Sequence, residues 1–116
     1  MKMRDYRDLL HDIIDAINDV ESFIDDLSYD EFVKDRKTLS AVIRSIEVIG
    51  EATKNLPDRI KEKYKDLPWN RMAGMRDKLI HGYFGIDTKT LYKSARGDIP
   101  QLKTSIQEIL RKEENQ

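Results

Sequence analysis

The chain has 116 residues, with 21 Lys/Arg against 22 Asp/Glu, two His and no Cys. Without cysteine there is no disulfide framework, thiol nucleophile or Cys-based zinc site, and His11 and His81 alone do not make a His-rich metal cage. No apolar run approaches the roughly 18 residues a membrane span needs, so the composition predicts one soluble, cytoplasmic domain over residues 1–116, long enough to bury about two-thirds of its extended surface in a single core.

The opening Met1-Lys2-Met3-Arg4-Asp5-Tyr6 turns acidic at once and lacks the apolar stretch of a signal peptide. A net charge of −1 leaves no overall nucleic-acid footprint. The two halves differ: residues 1–58 carry 8 Lys/Arg against 14 Asp/Glu, and residues 59–116 carry 13 against 8. These are ordinary helix surfaces, or they direct an anionic ligand to the second half.

Tyr6, Leu9, Leu10, Ile13, Ile14, Ile17, Val20, Phe23, Ile24 and Leu27 recur at steps of three and four, which predicts one amphipathic helix over about 5–27. His11 lies off that stripe as a surface or boundary residue. Ser28 and Glu31 have the spacing of a capping box, and a helical segment follows to about Asn55, with a possible break near Asp35. Gly50 sits inside it, where glycine costs about 1 kcal/mol relative to alanine. A close helix–helix crossing would account for that glycine, as would neutral drift. Pro57 suits the first turn of a short helix over about 57–65. After Leu67-Pro68-Trp69 breaks the chain, a helix over about 69–81 carries Met72, Met75, Leu79 and Ile80. Gly82 and Gly85 bracket a turn. Asp87 is placed to cap a last helix from Thr88 to about Arg111, kinked or interrupted at Gly97-Asp98-Ile99-Pro100. The polar tail Arg111–Gln116 is expected to fray. No segment alternates with period two, so the predicted fold class is all-α: an up-and-down bundle of four to five helices, the first two the longest.

One stretch carries candidate chemistry: Arg76-Asp77-Lys78-Leu79-Ile80-His81-Gly82-Tyr83. Asp77 and His81 are four apart, on one ridge of a helix. The carboxylate and the helix C-terminus both favour imidazolium, so His81 could serve as acid and base near neutral pH. Gly82 is placed to end the helix and swing Tyr83 out beyond its last turn. A guanidinium, an imidazole and a phenol at one helix end suit a phosphodiester: Arg76 clamps non-bridging oxygens, His81 moves protons, and Tyr83 stacks or hydrogen-bonds. The same residues also read as a C-terminal cap, a surface i,i+4 pair and a packing aromatic, and spacing alone does not decide between the two.

Arg76-x4-His81-x-Tyr83 resembles the R-x4-H-x-Y motif of HepT-type toxins, a branch of the HEPN superfamily of helical nucleases. Leu39 to Ala52 resembles the family's second long helix, Pro68-Trp69 and Met72 to Asp77 its approach to the motif, and Gly82 to Asp87 its exit. The likeness runs over nearly the whole chain, to about Leu110. It implies a HEPN-like, homodimeric fold and a metal-independent, cofactor-free endoribonuclease, the toxin of a type VII toxin–antitoxin system. Arg76 and His81 would be catalytic, Arg76 stabilising the phosphorane and His81 moving the proton of the 2′-OH or of the leaving 5′-oxygen. One motif histidine per chain, set against two proton transfers, fits a two-fold dimer that brings two copies of His81 to one phosphate. Asp77 fits as a supporting residue. Glu51 either faces this cleft and orients the Arg or the imidazole, or is a helix-surface carboxylate. The implied partners are RNA and an MntA-like minimal nucleotidyltransferase antitoxin that moves AMP from ATP to Tyr83, where the added phosphate and bulk would exclude RNA. The alternative is a non-catalytic helical module that docks a nucleotidyltransferase or binds nucleotide or RNA uncut, which the acidic first half slightly favours.

Overall fold

Asp5 opens the first helix by accepting the Arg7 N–H, and α1 runs over Tyr6–Ile24 in this computed structural model, which describes residues 5–79, 85 and 87–115, the side chain of Leu79 excepted. Leu10, Ile13, Ile17 and Val20 are fully enclosed. Phe23, on the same predicted stripe, is exposed. The helix stops three residues short of the predicted end because a tertiary cap takes over: the Ile24 and Leu27 carbonyls accept from the Arg96 guanidinium, and Leu27 also from the Tyr92 hydroxyl.

The capping box forms as its spacing predicts. Glu31 N–H donates to Ser28 Oγ at 3.2 Å and Ser28 N–H to Glu31 Oε1 at 3.0 Å. It starts α2, Tyr29–Lys34, which buries Phe32 against Tyr92 with ring centroids 5.4 Å apart. Asp35 ends α2 and caps α3, Arg36–Asn55, by accepting from the N–H and hydroxyl of Thr38. The short helix predicted over 57–65 is α4, Asp58–Lys63; Pro57 stands just before it as the N-cap instead of inside its first turn.

The single helix predicted over 69–81 is divided. Trp69–Ala73 form α5 and Met75–Leu79 form α6. Gly74 between them lies at φ −94°, ψ 6°, in the sparsely populated bridge region that loosens a helical turn. The last segment starts at α7, Thr88–Lys93, capped by Asp87. It widens into a π-helical turn over Ser94–Asp98 and continues as α8, Ile99–Glu114. This is the predicted interruption. The wide turn delivers Pro100 into the first turn of α8, where a missing N–H has no partner to lose.

Counted between breaks, α1, α2–α3, α4, α5–α6 and α7–α8 are five segments, and the fold is all-α. Among the described residues there is no strand, and no helix is long and apolar enough to cross a membrane. α1 runs antiparallel to α8, since Tyr6 meets Glu113 while Asn18 meets Lys103. It also runs antiparallel to α3, with Leu9 beside Ala52 and Asn55. Gly50 marks a true crossing. A Cβ there would lie 3.2 Å from the Ala73 carbonyl oxygen and 3.6 Å from that of Met72, so the end of α5 rests directly on the α3 backbone.

The tail does not fray through residue 114. Glu113 is only 2% exposed and accepts from Lys63 Nζ at 2.8 Å, Tyr64 Oη at 2.5 Å and Tyr6 Oη at 2.9 Å. Lys63 and then Tyr64 hold its carboxyl down to about 2, against the upward push of burial.

Two outcomes follow. Glu113→Ala leaves an ammonium and two phenols without their acceptor and should cost about 3 kcal/mol, the lower end for a broken buried pair because Lys63 is half-exposed; thermal melts should fall by roughly 12 °C. The parent keeps the full contribution above pH 4.5 and loses it as pH falls from 4.5 towards 2, a dependence the variant should lack. Gly50→Val sets two methyl groups against the Ala73 carbonyl and should destabilise by about 2 kcal/mol, read by urea unfolding.

Candidate functional site

The Gly50 crossing lays α6 along one face of α3. Residues three and four apart on a helix share a face, so Arg44, Glu47, Gly50, Glu51 and Lys54 form one stripe. Facing it, Ala73 and Arg76 close a hollow of about 290 Å³. Arg76 Nε lies 3.9 Å from Glu47 Oε1, and its Nη1 lies 3.7 Å from Asp77 Oδ1. Arg44 Nη1 stands 4.0 Å from the other Glu47 oxygen.

These separations orient the guanidinium without consuming it. All exceed hydrogen-bond length, and Arg76 remains 49% exposed. Its N–H fork is therefore available to an anion, for which bidentate geometry is well suited. Arg44, Lys54 and Arg76 stand against Glu47, Glu51 and the adjoining Asp77, so charges are balanced around the hollow, with the Arg76 guanidinium half-exposed among them.

The structure thus brings two of the predicted site residues to one place. Glu51 is a surface carboxylate on α3 and lines the same hollow as Arg76. Asp77 lies beside Arg76 and is 75% exposed. His81 and Tyr83 lie outside the described residues, and with them the expected Asp77–His81 pair and the turn at Gly82. Gly85 has φ +113°, a left-handed conformation that favours glycine. His11 is half-exposed, 3.6 Å from Glu114 and remote from the motif in the chain. Among the described residues no group of three His, Cys, Asp or Glu side chains is placed to hold a metal ion.

Glu47 is the residue that sequence reasoning missed. Its signal was available: it stands three before Gly50 and four before Glu51, on the same face. Once Gly50 is taken as the crossing point, that face must meet the arriving helix.

A family model described as HepT-like, "Ribonuclease HepT-like", matches residues 13–109. The chain is 45% identical over 106 residues to "Probable ribonuclease HepT" of Thermococcus cleftensis, covering 91% of this chain and 96% of that protein. It is 46% identical over 111 residues to "Putative RNase MJ0127" of Methanocaldococcus jannaschii, covering 96% and 92%. It is 47% identical over 87 residues to "Putative RNase TTE0752" of Caldanaerobacter subterraneus, covering 75% and 78%. No solved structure matches significantly.

The geometry of the hollow predicts a stability result. Exposed pairs at these distances contribute little, so Arg76→Ala and Glu47→Ala should each stay within about 1 kcal/mol of the parent in chemical denaturation.

Proposed function

The chain belongs to the HepT-like ribonuclease family, and from that premise we propose that it is an endoribonuclease, the toxin of a type VII toxin–antitoxin pair, which cuts RNA at a site made by Arg76 and His81 of two protomers. The observation that carries this reading is Arg76 itself: a half-exposed guanidinium at a surface hollow, steadied by carboxylates at salt-bridge distance, five residues before His81.

The chemistry assigned to these groups is an internal transfer. A neutral imidazole takes the proton of the ribose 2′-OH as its oxygen attacks phosphorus. The second protomer's imidazolium gives a proton to the departing 5′-oxygen as the P–O5′ bond breaks. The products are a 2′,3′-cyclic phosphate and a 5′-OH end, and the histidine pair ends with its protonation exchanged. Charge gathers on the equatorial oxygens of the phosphorane, where the Arg76 fork is worth more than in the ground state. Glu47, Glu51 and Asp77 act through Arg76 by limiting where its guanidinium can point. In the same reading, the cognate nucleotidyltransferase transfers AMP from ATP to the Tyr83 hydroxyl and releases pyrophosphate. The attached phosphate would then occupy the anion site and keep RNA out.

Cleavage of single-stranded RNA in EDTA tests the site. His81→Ala should lower the rate by about 10²–10⁴-fold and Arg76→Ala by about 10²–10³-fold, with circular dichroism unchanged. Cleavage that survives both substitutions would overturn the assignment. Tight binding of a nucleotidyltransferase with no RNA turnover would identify the docking module instead. Incubation with ATP, magnesium and the nucleotidyltransferase should add one AMP to the Tyr83 peptide and none to Tyr83→Phe, read by mass spectrometry.

A further inference from the structure

A second hollow lies on the other side of α6. The Arg76 hollow faces α3, whereas this one, about 280 Å³, opens between α5–α6 and the α7–π-turn segment. Arg71 of α5, Lys78 of α6 and Lys93 of α7 converge on it, with the Met75 thioether and the Thr90 hydroxyl in its wall. It shares Arg71, Met75 and Asp98 with an adjoining hollow of about 230 Å³ towards the start of α8.

Its charge is unbalanced. Asp98 is the one carboxylate among its described lining residues. It stands 4.0 Å from Arg71, with both side chains more than half exposed, so it offsets little. Among the described residues no carboxylate lies within salt-bridge distance of Lys78 or Lys93. Three cations from three elements held around one small concavity repel one another, and an anion seated between them relieves that repulsion. The volume is below that of a typical enclosed small-molecule site and suits a phosphate with its sugar or base.

We propose that this hollow is a subsite for a backbone phosphate of the RNA strand a few nucleotides from the one that is cut. The inference rests on the ribonuclease reading and adds to it a path for the substrate. α6 is a wall one helix thick, about 10 Å, with Arg76 on one side and Lys78 and Met75 on the other. A strand crossing that wall places one phosphate at Arg76 and another, a few nucleotides along, between Arg71, Lys78 and Lys93. Thr90 can hydrogen-bond the phosphate or ribose, and Met75 offers an apolar contact to a sugar or base.

The test is fluorescence anisotropy of a labelled single-stranded RNA on the His81→Ala background, titrated at several salt concentrations. Arg71→Gln and Lys93→Gln remove exposed charges and should leave thermal melts unchanged. Each should weaken binding about fivefold and lower the slope of log K against log salt by about 0.7. Lys112→Gln, about 20 Å away along α8, should keep the background's affinity and slope. If the parent cuts RNA but Arg71→Gln and Lys93→Gln bind as the background does, the subsite is wrong and the ribonuclease reading stands. If Lys112→Gln weakens binding as much as Lys93→Gln, attraction is diffuse and the subsite is again wrong. If poly-glutamate displaces the RNA at equal charge concentration, the hollow is an acidic-peptide site and the proposal falls. A parent that neither binds nor cuts RNA overturns both.

Discussion

The contact between the α3 backbone at Gly50 and the Ala73 carbonyl sets the height at which α5 and α6 rest on the bundle. Those two helices have five residues each, far too few to hold their own shape in water. Their position is inherited from α3, which is fixed by its cap at Asp35 and by the buried row Val42, Ile46 and Ile49. A Cβ at position 50 would press the Ala73 carbonyl back by a few tenths of an ångström and draw Arg76 away from the carboxylate of Glu47. Glycine is thus required at position 50 for what it permits its neighbour to do, and the helix propensity lost there is offset by packing. The break at Gly74 completes the arrangement. It lets α5 follow α3 while α6 turns one edge towards α3 and the other towards α7, which is why charged hollows lie on both its sides.

Much of this fold could be read from local signals. The three-four stripe of α1 up to Ile24, the Ser28–Glu31 box, the break at Asp35 and the Asp87 cap each rest on signals close by in the chain. What was illegible depends on distant partners. The end of α1 is decided by Arg96 and Tyr92, some seventy positions away. Gly74 looks like a tolerated helix glycine in a window of its neighbours, and only the crossing beneath it explains why the helix divides. The polar C-terminal residues read as a solvated tail because nothing nearby in the chain reveals that Glu113 meets Tyr6, Lys63 and Tyr64.

The site divides in the same way. Arg76 was legible as part of a spaced motif, and Glu51 as the acid beside an unexpected glycine. Glu47 was not, because a carboxylate on a charged helix face carries no mark until the opposing helix is placed. The second cluster of cations was hidden for a similar reason: Arg71, Lys78 and Lys93 are spread over 23 positions and three elements, and become neighbours only through the packing of α6 on α7. The regional charge imbalance was legible, but not that three of the second half's cations would gather in one concavity.

The staple between the first turn of α1 and the last turn of α8 also bears on how the molecule comes into being. Its acceptor leaves the ribosome more than a hundred residues after its first donor, and α8, the antiparallel partner of α1, emerges just before it. A nascent chain can therefore lay the apolar stripe of α1 on α3 well before α8 arrives, and the last turn of α8 then locks a bundle whose first half is already packed.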